Sequence, residues 1–99
     1  MSLYKVMVDD NFHYMDEDER RELGTFATAE EALAACRKLV DDCLASEFKP
    51  GMSADELYDR YKLFGDDPFI VTMPGAETAA FSAWLYAHER AQAICNSAQ

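Results

Sequence analysis

Between Asp9 and Glu19 the chain reads DDNFHYMDEDE. Asp9, Asp10, Asp16, Glu17, Asp18 and Glu19 are carboxylates, and Phe12, His13 and Tyr14 stand among them. Acids at this density can hold a divalent cation, receive a basic partner, or keep a loop solvated. The best-defined cation motif, the EF-hand loop, needs D-x-[DN]-x-[DN]-G and a Glu at its twelfth position. Counted from Asp9, His13 falls on the third ligand position, Tyr14 replaces the glycine, and Arg20 replaces the final Glu. Counted from Asp16, Arg20 falls on the third ligand position. The spacing therefore predicts no specific metal site, with weak cation binding by clustered acids as the alternative.

The other chemically able residues are few. Cys36 and Cys43 are two helical turns apart, roughly 10.5 Å along the axis. That is too far for a disulfide or for one zinc ion with Zn–S bonds near ~2.3 Å. Cys95 has no C-x-x-C partner. A catalytic thiolate needs nearby cations to lower its pKa, and this chain has few. His13 and His88 are the two histidines; His88 reads as a boundary residue with a satisfied hydrogen bond. Gly24, Gly51, Gly65 and Gly75 are isolated, so neither G-x-G-x-x-G nor a P-loop can be assembled. No catalytic residue and no cofactor is predicted.

Composition narrows the classes further. Nine Lys and Arg against 19 Asp and Glu give 99 residues a net charge of −10. Such a surface repels nucleic acid and anionic lipid, whose binding rests on Lys and Arg neutralising phosphates. Direct nucleic-acid binding is thus not expected, and a basic protein is the electrostatically permitted partner. A chain that is 49% apolar and 12% aromatic is not a disordered acidic tail. No apolar run approaches the ~20 residues of a membrane span, and MSLYKVMVDD lacks the long apolar centre of a signal peptide. A cytoplasmic protein without membrane contact is expected, and three cysteines at unpatterned spacing agree with that.

The elements that must position these residues follow from pattern. Leu3 to Asp9 alternates, with Tyr4, Val6 and Val8 on one face, and predicts a strand. Glu19 to Phe26 predicts a second strand, paired with the first as an antiparallel hairpin around the acidic loop. Thr28 and Glu31 have capping-box spacing. Ala29, Ala32, Leu33, Cys36, Val40, Cys43 and Leu44 then form a helical stripe that ends around 46–48. Ser53 and Glu56 make a second capping box, with Met52 and Leu57 as its hydrophobic staple. In that helix Leu57, Tyr58, Tyr61 and Phe64 face the core, Glu56 and Arg60 pair at i, i+4, and Gly65 is the left-handed stop.

Asp66, Asp67 and Pro68 predict a turn, and Phe69 to Val71 a short buried strand. Pro74 and Gly75 break it. A third helix from about 82 to 96 carries Trp84, Leu85, Ala87, His88, Ala91, Ile94 and Cys95 on one side, with Tyr86 exposed beside Arg90. The order β-β-α-α-β-α predicts a single α+β domain over 1–99: a small antiparallel sheet of about three strands, packed on one face by three helices.

Five stretches carry a resemblance. They are Tyr4-x-Val6-x-Val8-Asp9-Asp10-Asn11-Phe12-His13-Tyr14-Met15; Gly24-x-Phe26-x-Thr28-x-Glu30-Glu31-Ala32; Pro50-Gly51-Met52; Phe64-Gly65-x-Asp67-Pro68-Phe69-Ile70-Val71; and Phe81-Ser82-Ala83-Trp84. Together they resemble a group of small bacterial proteins with no assigned function, over nearly the whole chain. The resemblance implies a self-contained unit and a bacterial source, and supplies no activity, cofactor or catalytic residue.

The functional expectation is a non-catalytic interaction or regulatory module, with homodimerisation open. Its partner-binding residues are Asp9, Asp10, Phe12, His13, Tyr14, Asp16, Glu17, Asp18 and Glu19. If the three rings pack inward, the loop is instead a structural cap with a solvated rim. One alternative is an enzyme or small-molecule binder with a pocket between helices and sheet near His88, Tyr58 or Tyr86. Another is an acidic mimic of nucleic acid, which would need carboxylates along one face at duplex phosphate spacing.

Overall fold

Alternation in the first strand is realised as expected. In β1 (Tyr4–Asp10), Tyr4, Val6 and Val8 are buried, while Lys5, Met7 and Asp9 occupy the other face, half-buried. The structure, a computed structural model, describes residues 3–10 and 21–97. These form strands β1, β2 (Arg21–Phe26) and β3 (Asp66–Thr72), and helices α1 (Ala29–Glu47), α2 (Ala54–Phe64) and α3 (Ala83–Ser97). β1 lies at the centre of the sheet, antiparallel to both neighbours, in the order β2-β1-β3. Against β2 the register slips between Val6 and Met7, which face Gly24 and Glu22, so Leu23 is the extra residue of a bulge.

Both expected N-caps form. Oγ1 of Thr28 accepts from the Glu31 N–H at 3.2 Å, and Oγ of Ser53 from the Glu56 N–H at 3.2 Å. Each hydroxyl also donates to the same glutamate's carboxylate, at 3.0 and 3.2 Å. From its cap, α1 buries Ala32, Cys36, Val40 and Leu44, four residues at i, i+4 spacing.

The core has two parts. Tyr4, Val6, Ala32 and Cys36 join sheet to α1. Val40, Leu44, Leu57, Tyr61, Ala83, Ala87, Ala91 and Cys95 join the three helices. Phe81 packs against both. The whole is α+β in the expected order, with α1 on the sheet and the three helices packed against one another.

Several local expectations are corrected. Gly65 is no left-handed stop: its φ of −82° and ψ of 176° are extended backbone. Asp66–Pro68 is no turn, because β3 begins at Asp66, directly after Gly65. Pro68 is tolerated there because β3 is an edge strand, where a missing N–H breaks no second ladder. Phe69 and Ile70 are half-buried and Val71 is exposed, since only one face of that edge meets a helix. In α2, Arg60 turns from Glu56 to Glu47 of α1, at 3.0 Å, and Phe64 is 47% exposed beneath the Arg60 guanidinium.

In α3 the buried stripe is Ala83, Ala87, Ala91 and Cys95, while Trp84 and Leu85 are 38% and 69% exposed and His88 is also exposed. Small residues win the buried face because α3 sits close against both other helices, and interaxial distance follows the side chains at the contact.

Candidate acidic site at the end of the sheet

The β1–β3 register places acids opposite acids. Asp9 faces Asp67, and Asp10 faces Asp66. Directly opposed residues of an antiparallel pair have Cβ atoms about 4.5–5.5 Å apart, and like charges there are destabilising. The sequence expectation grouped Asp9 and Asp10 with the loop that follows. It missed that Asp66 and Asp67, 57 residues on, share their end of the sheet. The DDP run was legible, but a strand beginning at Asp66 was hidden by its resemblance to a turn.

Strand alternation sends Asp66 and Asp67 to opposite faces of β3. Asp66 shares the helix-side face of β3 with Pro68 and Ile70, and it is neutralised there. Arg21 of β2 donates to its Oδ2 at 2.9 Å, and the Cys43 thiol makes a long 3.9 Å contact to the same oxygen. Asp67 lies on the other face with Phe69 and Asp9. There Asp9, Asp67, Phe69, Phe81, Ser82, Ala83 and Trp84 line an open cleft of about 630 Å³. Burial, then the neighbouring Asp9 charge, push the Asp67 carboxyl up to about 6. Ser82 caps α3 at the cleft's rim, its Oγ accepting from the Leu85 N–H at 3.3 Å.

Of the expected partner-binding residues, Asp9 and Asp10 are described. Phe12, His13, Tyr14, Asp16, Glu17, Asp18 and Glu19 lie outside the described residues, as does the direction their rings point.

The residues of the pocket alternative divide between two places. Tyr58 and His88 meet edge to face, ring centroids 5.1 Å apart, with Lys62 Nζ 4.6 Å from the Tyr58 ring centroid. Tyr86 sits elsewhere: two residues along a helix are about 200° apart around its axis. Its ring packs on Phe81, and its hydroxyl donates to Asp41 Oδ2 at 3.0 Å, while Arg90 Nε donates to Oδ1 at 3.0 Å. Tyr86 is therefore half-buried rather than exposed, although it does stand beside Arg90. The triad clamps α1 to α3. Burial and then the Asp41 carboxylate raise the Tyr86 phenol's pKa.

The cysteines are free thiols. Burial pushes Cys36 up to about 11 and also raises Cys43, so both stay protonated near neutral pH and are poor nucleophiles. Among the described residues, no group of three or more His, Cys, Asp or Glu is arranged to hold a metal ion. None of their helices is long and apolar enough to cross a membrane.

Comparison with protein-family models, curated proteins and solved structures finds no match to this chain.

Proposed function

We propose that this chain is a non-catalytic interaction module whose acidic sheet end receives a basic protein partner. The observation that supports this reading is the register of β1 against β3. It gathers Asp9, Asp10, Asp66 and Asp67 at the end of the sheet from which the acidic segment continues toward Glu19. The exposed Trp84 at the same cleft adds apolar area to a charged rim, the combination that anchors and orients a partner. The protonated thiols and the division of Tyr58 and His88 from Tyr86 give the pocket alternative less to work with.

The test neutralises charge in the acidic segment. A variant carrying Asp16→Asn, Glu17→Gln, Asp18→Asn and Glu19→Gln is compared with the native chain as bait in the native lysate, across a salt series. Partner recovery is expected to fall in the variant, and in the native chain as salt rises, because exposed charges are screened within about 8 Å at physiological ionic strength. Equal recovery by both baits overturns the reading. Matching circular dichroism spectra ensure that a loss reports charge and not unfolding.

A further inference from the structure

We propose that the cleft between β3 and the start of α3 takes an arginine side chain, its guanidinium laid on the aromatic walls and paired with the Asp67 carboxylate. The inference rests on the reading of this sheet end as the receptor of a basic partner, and names the group that enters it. Its first support is shape. The cleft is open and about 630 Å³ in volume, within the ~300–1,000 Å³ of ligand sites. Its second is chemistry. Phe69, Phe81 and Trp84 supply three ring systems, and Asp67 stands on the same face of β3 as Phe69, two residues along the strand. A cation over a ring face and beside a carboxylate is held by both.

Charge complementarity points the same way. Among the described residues, the lining holds no Lys or Arg. Arg21 is held by Asp66 at 2.9 Å, on the other face of β3. Burial and the Asp9 charge push the Asp67 carboxyl up to about 6, so an entering cation relieves a repulsion already present. The start of α3 opposes a cation with its N-terminal partial charge, about half a unit. Ser82 Oγ already accepts from the Leu85 N–H there, at 3.3 Å, and the whole charge of an ionised Asp67 outweighs the remainder. At a net charge of −10 the rest of the chain draws in a cation rather than an anion.

The same walls favour arginine over lysine. A guanidinium is planar and weakly hydrated, so it lies flat on a ring and gives up water to an apolar wall at little cost. It also presents parallel N–H donors to a carboxylate. An ammonium is compact and strongly hydrated. Phe81 packs against both core clusters, so one wall of the cleft is fixed before anything enters, and little ordering is left for binding to offset.

Trp84 is the chain's single tryptophan and lines the cleft, 38% exposed, so its fluorescence reads the site directly. The full chain, at about pH 7.5 where Asp67 is ionised, is titrated with a short blocked glycine peptide carrying one central arginine. Its lysine counterpart and inorganic phosphate are titrated in parallel. A saturable change in Trp84 emission is expected with arginine, and binding about threefold or more weaker with lysine. Asp67→Asn is expected to weaken the arginine peptide about tenfold or more, the usual result of losing a charged hydrogen-bond acceptor. An unmoved Trp84, equal affinity for the two peptides, unchanged affinity in Asp67→Asn, or a change with phosphate alone overturns the inference. If Asp67→Asn does not fold, the arginine and lysine titrations of the native chain decide it. The pull-down variant changes other residues, so the two failures differ. A silent Trp84 with salt-sensitive partner recovery sinks the arginine site alone, whereas equal recovery by both baits sinks the module reading whatever Trp84 does.

Discussion

Gly65 is fixed by what a side chain would strike. A Cβ there would overlap Cδ1 of the Tyr61 ring and lie 2.7 Å from Cε1 and 2.8 Å from the Tyr61 carbonyl oxygen. That ring is fully buried, and its hydroxyl donates to the Asp66 carbonyl at 2.6 Å, so it has nowhere to retreat. The glycine lets the chain leave α2 and enter β3 with no intervening turn. Gly65→Ala is expected to cost about 1–3 kcal/mol, the usual toll of overpacking, read as a lower urea midpoint at unchanged slope. A neutral result would mean that Tyr61 can repack. That a glycine belongs after Phe64 was legible in the sequence. Its reason was not, since the left-handed cap and the ring contact look alike until the backbone angle is known.

At the scale of elements, the two capped helices show how far local chemistry reaches. Thr28 and Ser53 each satisfy an N–H at a helix start, where four such groups lack partners. Thr28→Ala and Ser53→Ala are each expected to cost about 1 kcal/mol. The two losses should add in thermal or urea unfolding, because the caps belong to different helices and share no hydrogen-bond partner. The far end of α1 is built differently. No basic residue lies in its last turn, and Glu47 stands where the helix dipole disfavours acids, with Asp41 and Asp42 more than a turn before it. Arg90, Lys38 and Arg60 answer them, at 3.0, 2.9 and 3.0 Å. Lys38 was foreseeable from its i, i+4 spacing. Arg60 and Arg90 arrive from other helices, and their partners were invisible in one dimension. For the same reason Glu56 lost its expected partner.

For the whole molecule, the question is what makes one body of two core clusters. Phe81 touches both, just before α3 begins and at the edge of the acidic cleft. Phe81→Ala is expected to cost about 2–3 kcal/mol, below the ~3–5 of a fully buried phenylalanine because the ring is only half-buried. It should also deepen the cleft beside Asp67. Urea unfolding measures the first, and the pH of the Asp67 carboxyl step the second, falling from about 6 as water reaches it.

The order of elements, both N-caps, the buried face of β1 and the buried stripe of α1 were all legible in one dimension. These depend on residues within one or two turns or strand steps of each other, where spacing is geometry. That α3 buries alanines and exposes Trp84 and Leu85 came from packing, since it follows from how closely two other helices approach. The fold alone set Asp67 opposite Asp9: register is a property of two strands together, and 57 residues of chain separate these acids.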